Sequence, residues 1–201
     1  MIDEGYIKFK SNWQKTPPLE FSAFEELNHW RDEMYKRHLI GAYENGIGFG
    51  NISIRKENSN QFYISGSATG NFEQLNNNHY SLVTNVSINE NFLHCIGSTI
   101  ASSESMSHAV IYKTCPWVNG VIHIHSLSLW QELLHKVPTT SEKIQYGTPE
   151  MATAIIQLLE EKTTLEQKIF AMAGHEEGIF VFGKNLKSAT AILLKHLTKK
   201  Y

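Results

Sequence analysis

The sequence predicts one mixed β-sheet covered by helices, which places the fold in the α/β or α+β class. Short β-branched runs separated by polar turns occupy the first half of the chain, and stretches with helical apolar spacing lie before, between and after them. Neither a repeat nor a low-complexity linker divides the 201 residues. A chain of this length buries enough apolar surface for one stable core.

The N-terminal part combines an arm with a helix. Residues 1–19 end in a Pro-Pro pair and are predicted to form an extended arm, which leaves 20–201 as a single domain. Apolar residues at helical spacing predict a first helix over about 20–39. The glycine-rich segment at 41–51 ends that helix, because glycine favours turns over a regular helix.

Four short runs predict two β-hairpins. NISIR at 51–55 alternates polar and apolar residues, and FYISG at 62–66 is its expected partner across a polar turn. SLVTNVS at 81–87 and NFLHCIG at 91–97 are joined by the turn-forming INE. The sheet is therefore predicted to be at least partly antiparallel.

The second half of the chain alternates helices with buried strands. Thr148 followed by Pro149 is typical of a helix start, and Asn185 is suited to cap the last helix. The predicted helices cover 103–114, 126–134, the segment after Thr148 and a last helix to about 199, and the predicted strands cover 120–126, 169–174 and 178–183.

Charge and composition exclude several classes of partner. Eighteen Lys and Arg side chains against twenty Asp and Glu give a net charge of -2 without a basic block, so we expect neither a nucleic-acid nor a membrane partner. Cys95 and Cys115 are too few for a disulfide framework and lack zinc-finger spacing. With no secretory signal and no apolar run of about 18 residues, a cytoplasmic protein is predicted.

The segment GVIHIHSLSLW places two histidines one residue apart in an otherwise apolar run. Residues two apart on a strand point to the same face, so His123 and His125 are expected to present both rings on one side. Two buried imidazoles are costly unless each finds a partner, and one divalent cation satisfies both. Hydrogen bonds to backbone or water are the alternative, since this short pattern alone is weak evidence for a metal.

Two further segments carry polar side chains suited to the same site. ASSESMSHA places Ser102 and Ser103 before Glu104 at a predicted helix start, where unpaired backbone N–H groups favour a phosphate or carboxylate. Simple N-capping is the alternative role of the two serines. AGHEEGIF places His175 and Glu177 in a turn between strands, and such a turn can supply the remaining ligands of a metal site.

Six short motifs occur in order along the chain. Together they resemble the class II aldolase/adducin family over about residues 24–197. The resemblance implies a three-layer α/β/α fold whose central sheet is mixed and largely antiparallel. The motifs are GNIS (50–53), SATG (67–70), SSE (102–104), HIH (123–125), YGTPE (146–150) and HEEG followed by IFVFG.

The resemblance also implies roles for individual residues. His123 and His125 match the zinc ligands of the family, and Glu104 matches its catalytic acid/base. The positions that match the family's phosphate-binding residues are Asn51, Thr69, Gly70, Ser102 and Ser103.

The chain departs from the family pattern at the third metal ligand. In the family a zinc histidine directly precedes a glycine, whereas here Glu177 precedes Gly178 and His175 lies two residues earlier. We favour His175 as the third ligand because imidazole suits zinc, with Glu177 as the alternative oxygen ligand.

Two side chains keep both a structural and a functional interpretation. His108 lies one helical turn after Glu104 and either orients that carboxylate or packs in the protein. A tyrosine that the family borrows from a neighbouring subunit has no clear match here. Tyr146 is a substitute for it, although a buried aromatic is the interpretation we favour.

The activity that the resemblance implies is that of a zinc-dependent lyase. It would act on a small sugar phosphate by aldol cleavage, or by dehydration through a metal-stabilised enediolate. The alternatives are a non-catalytic adducin-like interaction module and a sugar-phosphate epimerase or decarboxylase on the same fold. Intact HIH and SSE motifs argue against the module, because it has no use for costly buried imidazoles. The resemblance also implies a homotetramer.

Overall fold

The structure is a computed structural model that describes residues 9–197. Its helices are α1 (Phe24–Lys36), α2 (Ser105–Thr114), α3 (Leu127–Leu133), α4 (Pro149–Glu160), α5 (Lys162–Gln167) and α6 (Leu186–Leu197), with a 3-10 turn at Asn77–His79. Its strands are β1 (Lys10–Lys15), β2 (Gly41–Ala42), β3 (Gly48–Phe49), β4 (Asn51–Arg55), β5 (Phe62–Ser65), β6 (Tyr80–Ser87), β7 (Phe92–Gly97), β8 (Gly120–His125), β9 (Thr139–Thr140), β10 (Ile169–Met172) and β11 (Gly178–Gly183).

A nine-stranded sheet forms the middle of the molecule, in the order β1-β7-β6-β5-β4-β8-β11-β10-β9. Seven strands from β7 to β10 pair antiparallel, and the two edge strands β1 and β9 pair parallel to their neighbours. Both predicted hairpins, β4–β5 and β6–β7, are present. The predicted mixed, largely antiparallel sheet is therefore confirmed.

Helices cover the sheet on both faces, and each face has its own apolar core. One core joins the sheet to α2 and α4, and the other joins it to α1, α3 and α6. Alternate residues of β8 serve the two cores, since Val121 lies in the first while Ile122 and Ile124 lie in the second. These layers confirm the three-layer α/β/α architecture.

The edge strand β1 falls inside the segment predicted as an extended arm. It pairs in register with β7, and Trp13 Nε1 donates a hydrogen bond of 2.9 Å to the Gly97 carbonyl. The division into an arm at 1–19 and a domain at 20–201 stays a prediction, and residues 1–8 of that arm lie outside the described residues. Within residues 9–197, no helix is long and apolar enough to cross a bilayer.

Helix ends agree with the sequence where a capping side chain is present. The Thr148 hydroxyl accepts from the Met151 N–H at 3.2 Å, and the Asn185 side chain accepts from the Ser188 N–H at 2.8 Å. Helix α1 is shorter than predicted and ends at Lys36, before His38 takes a left-handed conformation with φ 56°. The predicted end of the last helix near 199 lies outside the described residues.

Candidate active site

Strand β8 lies between β4 and β11, so His123 is flanked by a strand on each side and His125 is paired with β11. His123 faces Asn51 of β4 and Phe180 of β11, and His125 faces Gly178 of β11. The two rings share the sheet face that carries α2, with the residues only 0% and 2% exposed. The strand register therefore holds both imidazoles in one buried place.

A third histidine joins this pair from the turn between β10 and β11. Ligand atoms of His123, His125 and His175 all lie within 4.8 Å of one another, a group that could hold a metal ion. The His175 ring also stacks on Tyr146, with ring centroids 4.3 Å apart. The structure thus brings His175 into the cluster and buries Tyr146 against it.

The partners of the ring nitrogens define which of them are protonated. His123 Nδ1 is 3.2 Å from the Ile179 carbonyl, which only accepts, so this nitrogen carries the proton. The Tyr43 hydroxyl donates to Glu177 Oε2 at 2.7 Å, so its oxygen accepts from His125 Nδ1 at 2.9 Å. In neutral rings, both Nε2 atoms are then unprotonated.

Those two Nε2 atoms face each other at 3.1 Å. Burial lowers the pKa of His123 well below its usual value, and the neighbouring His125, His175 and His108 lower it further. Two lone pairs at this distance repel, and burial disfavours a proton between them. A divalent cation relieves the repulsion, so the donor set fits a metal such as zinc.

Glu104 lies at the edge of the histidine cluster. The residue is 1% exposed and occupies the N-cap position of α2, without a capping hydrogen bond from its side chain. Its Oε2 accepts a hydrogen bond of 2.8 Å from the Ser107 hydroxyl, and its Oε1 is 3.7 Å from His175 Nδ1. A carboxylate is therefore held beside the histidines, where proton transfer to a bound molecule is chemically reasonable.

Glu177, the alternative third ligand, lies on the other side of His125. Its Oε2 is 3.7 Å from His125 Nδ1, and the Tyr43 hydroxyl bridges the two side chains. His125 and Tyr43 together hold the pKa of Glu177 below its usual value. Its backbone takes the left-handed region at φ 69°, which is uncommon for a residue other than glycine.

All five positions that match the family's phosphate-binding residues line one polar cleft. Among the described residues of this lining, none carries a charged side chain. Gly70 has no room for a side chain, since a Cβ there would lie 1.9 Å from the Gly41 carbonyl oxygen. The lining consists of Gly48, Gly50, Asn51, Gly66, Ser67, Ala68, Thr69, Gly70, Ser102 and Ser103.

Arg31 of α1 fixes one wall of this polar cleft. Its buried guanidinium donates to the Glu73 carbonyl at 2.8 Å, to the Thr69 carbonyl at 3.2 Å and to the Phe72 carbonyl. In the sequence, Arg31 merely falls within the first predicted helix, at about 20–39. Backbone carbonyl partners leave no signal in a sequence, so this role could not be predicted.

His108 has a partner that the sequence did not suggest. Its Nε2 is 2.6 Å from Asn51 Oδ1 and its Nδ1 is 2.6 Å from the Ser53 hydroxyl. Its hydrogen-bond partners therefore lie on β4, whereas the hydrogen bond of the Glu104 side chain comes from Ser107.

Comparison with known protein families shows to which family the chain belongs. The sequence profile of the Class II Aldolase and Adducin N-terminal domain matches residues 34–196, more than half of the sequence. The chain belongs to the class II aldolase/adducin family. The resemblance carried by the six motifs is thereby confirmed.

Solved structures show the same fold for this class II aldolase/adducin protein. An L-fuculose 1-phosphate aldolase is 18% identical with a TM-score of 0.68, over 90% of this chain and 84% of that chain. YgbL from Escherichia coli is 16% identical with a TM-score of 0.63, over 87% and 84%. A sugar-phosphate aldolase from Thermotoga maritima is 17% identical with a TM-score of 0.56, over 89% and 96%. Comparison of the sequence with curated proteins gives no significant match.

Proposed function

We propose that this class II aldolase/adducin protein is a metal-dependent lyase that acts on a small sugar phosphate. The observation that carries the proposal is the adjacency of three buried histidines, a carboxylate and an uncharged polar cleft. Two proteins of similar fold, the L-fuculose 1-phosphate aldolase and the sugar-phosphate aldolase, support the choice of substrate class. The proposed reaction is aldol cleavage or dehydration.

The residues that would hold the metal are His123, His125 and His175. Zinc is the ion proposed, because three imidazoles suit it and leave one position open in tetrahedral coordination. When bound, a divalent cation supplies Lewis acidity that stabilises negative charge on substrate oxygens. Glu177 is assigned outside the ligand set, where it contacts Tyr43 and fixes the Nδ1 side of His125.

The polar cleft would bind the phosphate through neutral donors. The Thr69 hydroxyl already donates to the Gly66 carbonyl at 2.8 Å, so Thr69 and Gly70 are expected to contribute backbone N–H groups. Ser102, Ser103 and the Asn51 amide would add side-chain donors. Since Asn51 lies directly opposite His123 in the sheet, the phosphate and the histidines would hold one substrate between them.

Glu104 is assigned the proton transfers. The Ser107 hydroxyl donates to Oε2, and Oε1 is the oxygen near His175. Because it lies on the side of the histidines, Oε1 is the atom that would take a proton from the substrate and return it to the product. Burial of Glu104 keeps bulk water from competing for that proton.

Metal analysis combined with a lyase assay tests the proposal. We expect about one zinc ion per chain, and turnover of at least one member of a panel of ketose and aldose phosphates after zinc loading. A protein that neither takes up a divalent ion nor is stabilised by one would instead be an adducin-like interaction module. Zinc uptake with epimerase or decarboxylase products would keep the site and replace the reaction. The homotetramer and the cytoplasmic location stay predictions, of which the first is checked by light scattering.

A further inference from the structure

A chain of hydrogen bonds runs from α2 to the wall of the polar cleft. We propose that His108 is a positioning residue which, with Ser53 and Tyr112 behind it, turns the Asn51 side-chain NH2 group into the polar cleft as an anion donor. The inference rests on the proposed role of the polar cleft as the phosphate site. It assigns a function to three buried side chains that touch neither substrate nor metal.

The direction of these hydrogen bonds follows from which atoms can donate and which can only accept. Asn51 Oδ1 can only accept, so His108 Nε2, 2.6 Å away, carries the ring proton. In a neutral ring, Nδ1 then accepts from the Ser53 hydroxyl at 2.6 Å. The Ser53 oxygen in turn accepts from the Tyr112 hydroxyl at 2.8 Å. Each donor in this series has one acceptor, and all three hydrogen bonds are donated in the direction of Asn51.

The surroundings of His108 keep its ring neutral and fixed. His108 has no exposed surface, and its ring packs between Phe62 and Phe180 at centroid distances of 6.3 and 5.3 Å. Desolvation by burial lowers its pKa to about 3, so near neutral pH one ring nitrogen donates and the other accepts. A neutral ring that donates from Nε2 bonds the oxygen of the Asn51 amide and not its NH2 group.

The His108 ring therefore determines which end of the Asn51 amide faces the polar cleft. With Oδ1 bound to His108, the remaining NH2 end is the part of this lining residue that an anion meets. A flipped amide would present carbonyl lone pairs to the phosphate and repel it. Because the described lining has no charged side chain, an anion there would depend on neutral donors, and the loss of one correctly aimed donor should weaken its binding.

The experiment compares inorganic phosphate binding to zinc-loaded variants by isothermal titration calorimetry. His108→Leu removes both hydrogen bonds, whereas His108→Gln keeps a donor for Asn51 and an acceptor for Ser53. We expect roughly tenfold weaker phosphate binding or more for the leucine variant, and roughly wild-type binding for the glutamine variant, as for loss and retention of one hydrogen bond to a charged group. Asn51→Asp replaces the NH2 donor by a carboxylate oxygen and defines the binding that remains without the Asn51 donor.

A second variant and a spectroscopic readout cover the case in which His108→Leu does not fold. Ser53→Ala removes the hydroxyl that donates to His108 Nδ1 and changes the packing less than His108→Leu does. It should also weaken phosphate binding. Nitrogen-15 NMR of the wild-type protein should find the His108 proton on Nε2. A proton on Nδ1 overturns the inference, and so does phosphate binding that is equal in wild type, His108→Leu and Ser53→Ala. If wild type binds no more phosphate than Asn51→Asp, the phosphate site itself is wrong.

Discussion

The histidine cluster and the polar cleft lie side by side, yet they are built in different ways. Two of the three histidines stand on β8, where neighbouring strands fix their position. The polar cleft is assembled from turns and strand ends, with four glycines among its ten lining residues. The cluster therefore depends on which side chains are present, and the polar cleft depends on the path of the backbone.

The two regions also differ in how their polar atoms are held. In the cluster, Tyr43 and the carboxylate of Glu177 lie behind His125, so a negative charge stands behind a proposed metal ligand. In the polar cleft, Asn51 is backed by the neutral side chains of His108 and Ser53. A charge strengthens the first region, whereas the second needs only the correct direction of a dipole.

The largest expected effect separates catalysis from both kinds of binding. Glu104→Gln should lower kcat by about 10²- to 10⁴-fold, the usual contribution of a general acid/base, because the amide cannot take up the proton. Zinc content and phosphate affinity should stay near wild type, since neither depends on that proton. Steady-state assays and metal analysis check this, and a variant with unchanged kcat would remove Glu104 from its assigned role.

Substitution of a glycine in the lining should disrupt the polar cleft and leave the histidine cluster intact. Gly70→Ala places a methyl group 1.9 Å from the Gly41 carbonyl, and the overpacking should cost about 3 kcal/mol of unfolding free energy. Gly46→Ala is the control for an alanine in open space: no atom lies within 4 Å of the added Cβ, so its cost comes only from a φ of 81°, which is unfavourable for alanine. Urea denaturation measures both. Equal losses in the two variants would contradict the close approach of Gly70 to Gly41.

Removal of the negative charge behind the histidine cluster should weaken metal binding but not phosphate binding. Glu177→Gln should lower zinc affinity about 10- to 100-fold, as is usual for an outer partner of a metal-bound histidine. Phosphate affinity in metal-free protein should not change. Glu176→Gln is the matched control, since this neighbouring carboxylate is exposed. Competition with a chromophoric chelator gives the affinities, and an equal loss in both variants would show that overall charge, rather than the Tyr43 contact, matters.

A smaller effect appears as acid sensitivity of the metal-free protein. An unfolded histidine binds a proton near pH 6.5, whereas buried His108 does so only at about 3, so stability falls as the pH drops between these values. From pH 7 to 5 the loss due to His108 should be about 2 kcal/mol. Urea denaturation at the two pH values measures it. The loss should shrink in His108→Gln, and an unchanged loss there would assign the sensitivity to other groups.

The sequence predicted the parts of the structure that local patterns encode. Alternating residues place His123 and His125 on one face, turn residues specify both central hairpins, and the Thr148 cap specifies the start of α4. The five positions that the motifs match to phosphate binding line one cleft in the structure, and their role in binding phosphate stays a prediction.

The remaining features depend on contacts between distant parts of the chain. Tyr43 reaches Glu177 across 134 residues, and Arg31 is bonded to carbonyls that any residue could supply. The parallel pairing of β1 with β7 likewise joins segments that no turn connects. Such contacts leave no periodic or local signature, so only the folded arrangement reveals them.

The pairing of Asn51 with His123 has a consequence for which molecules fit. These two residues are separated by one inter-strand spacing of about 5 Å, which the peptide hydrogen bonds of the sheet do not allow to stretch. A phosphate held by Asn51, as proposed, would therefore lie at a fixed distance from a metal held by His123, and this distance would limit the number of atoms between the phosphorus and the oxygens at the histidines. Different loops could change the shape of the pocket around a substrate, but they would not change the spacing between β4 and β8.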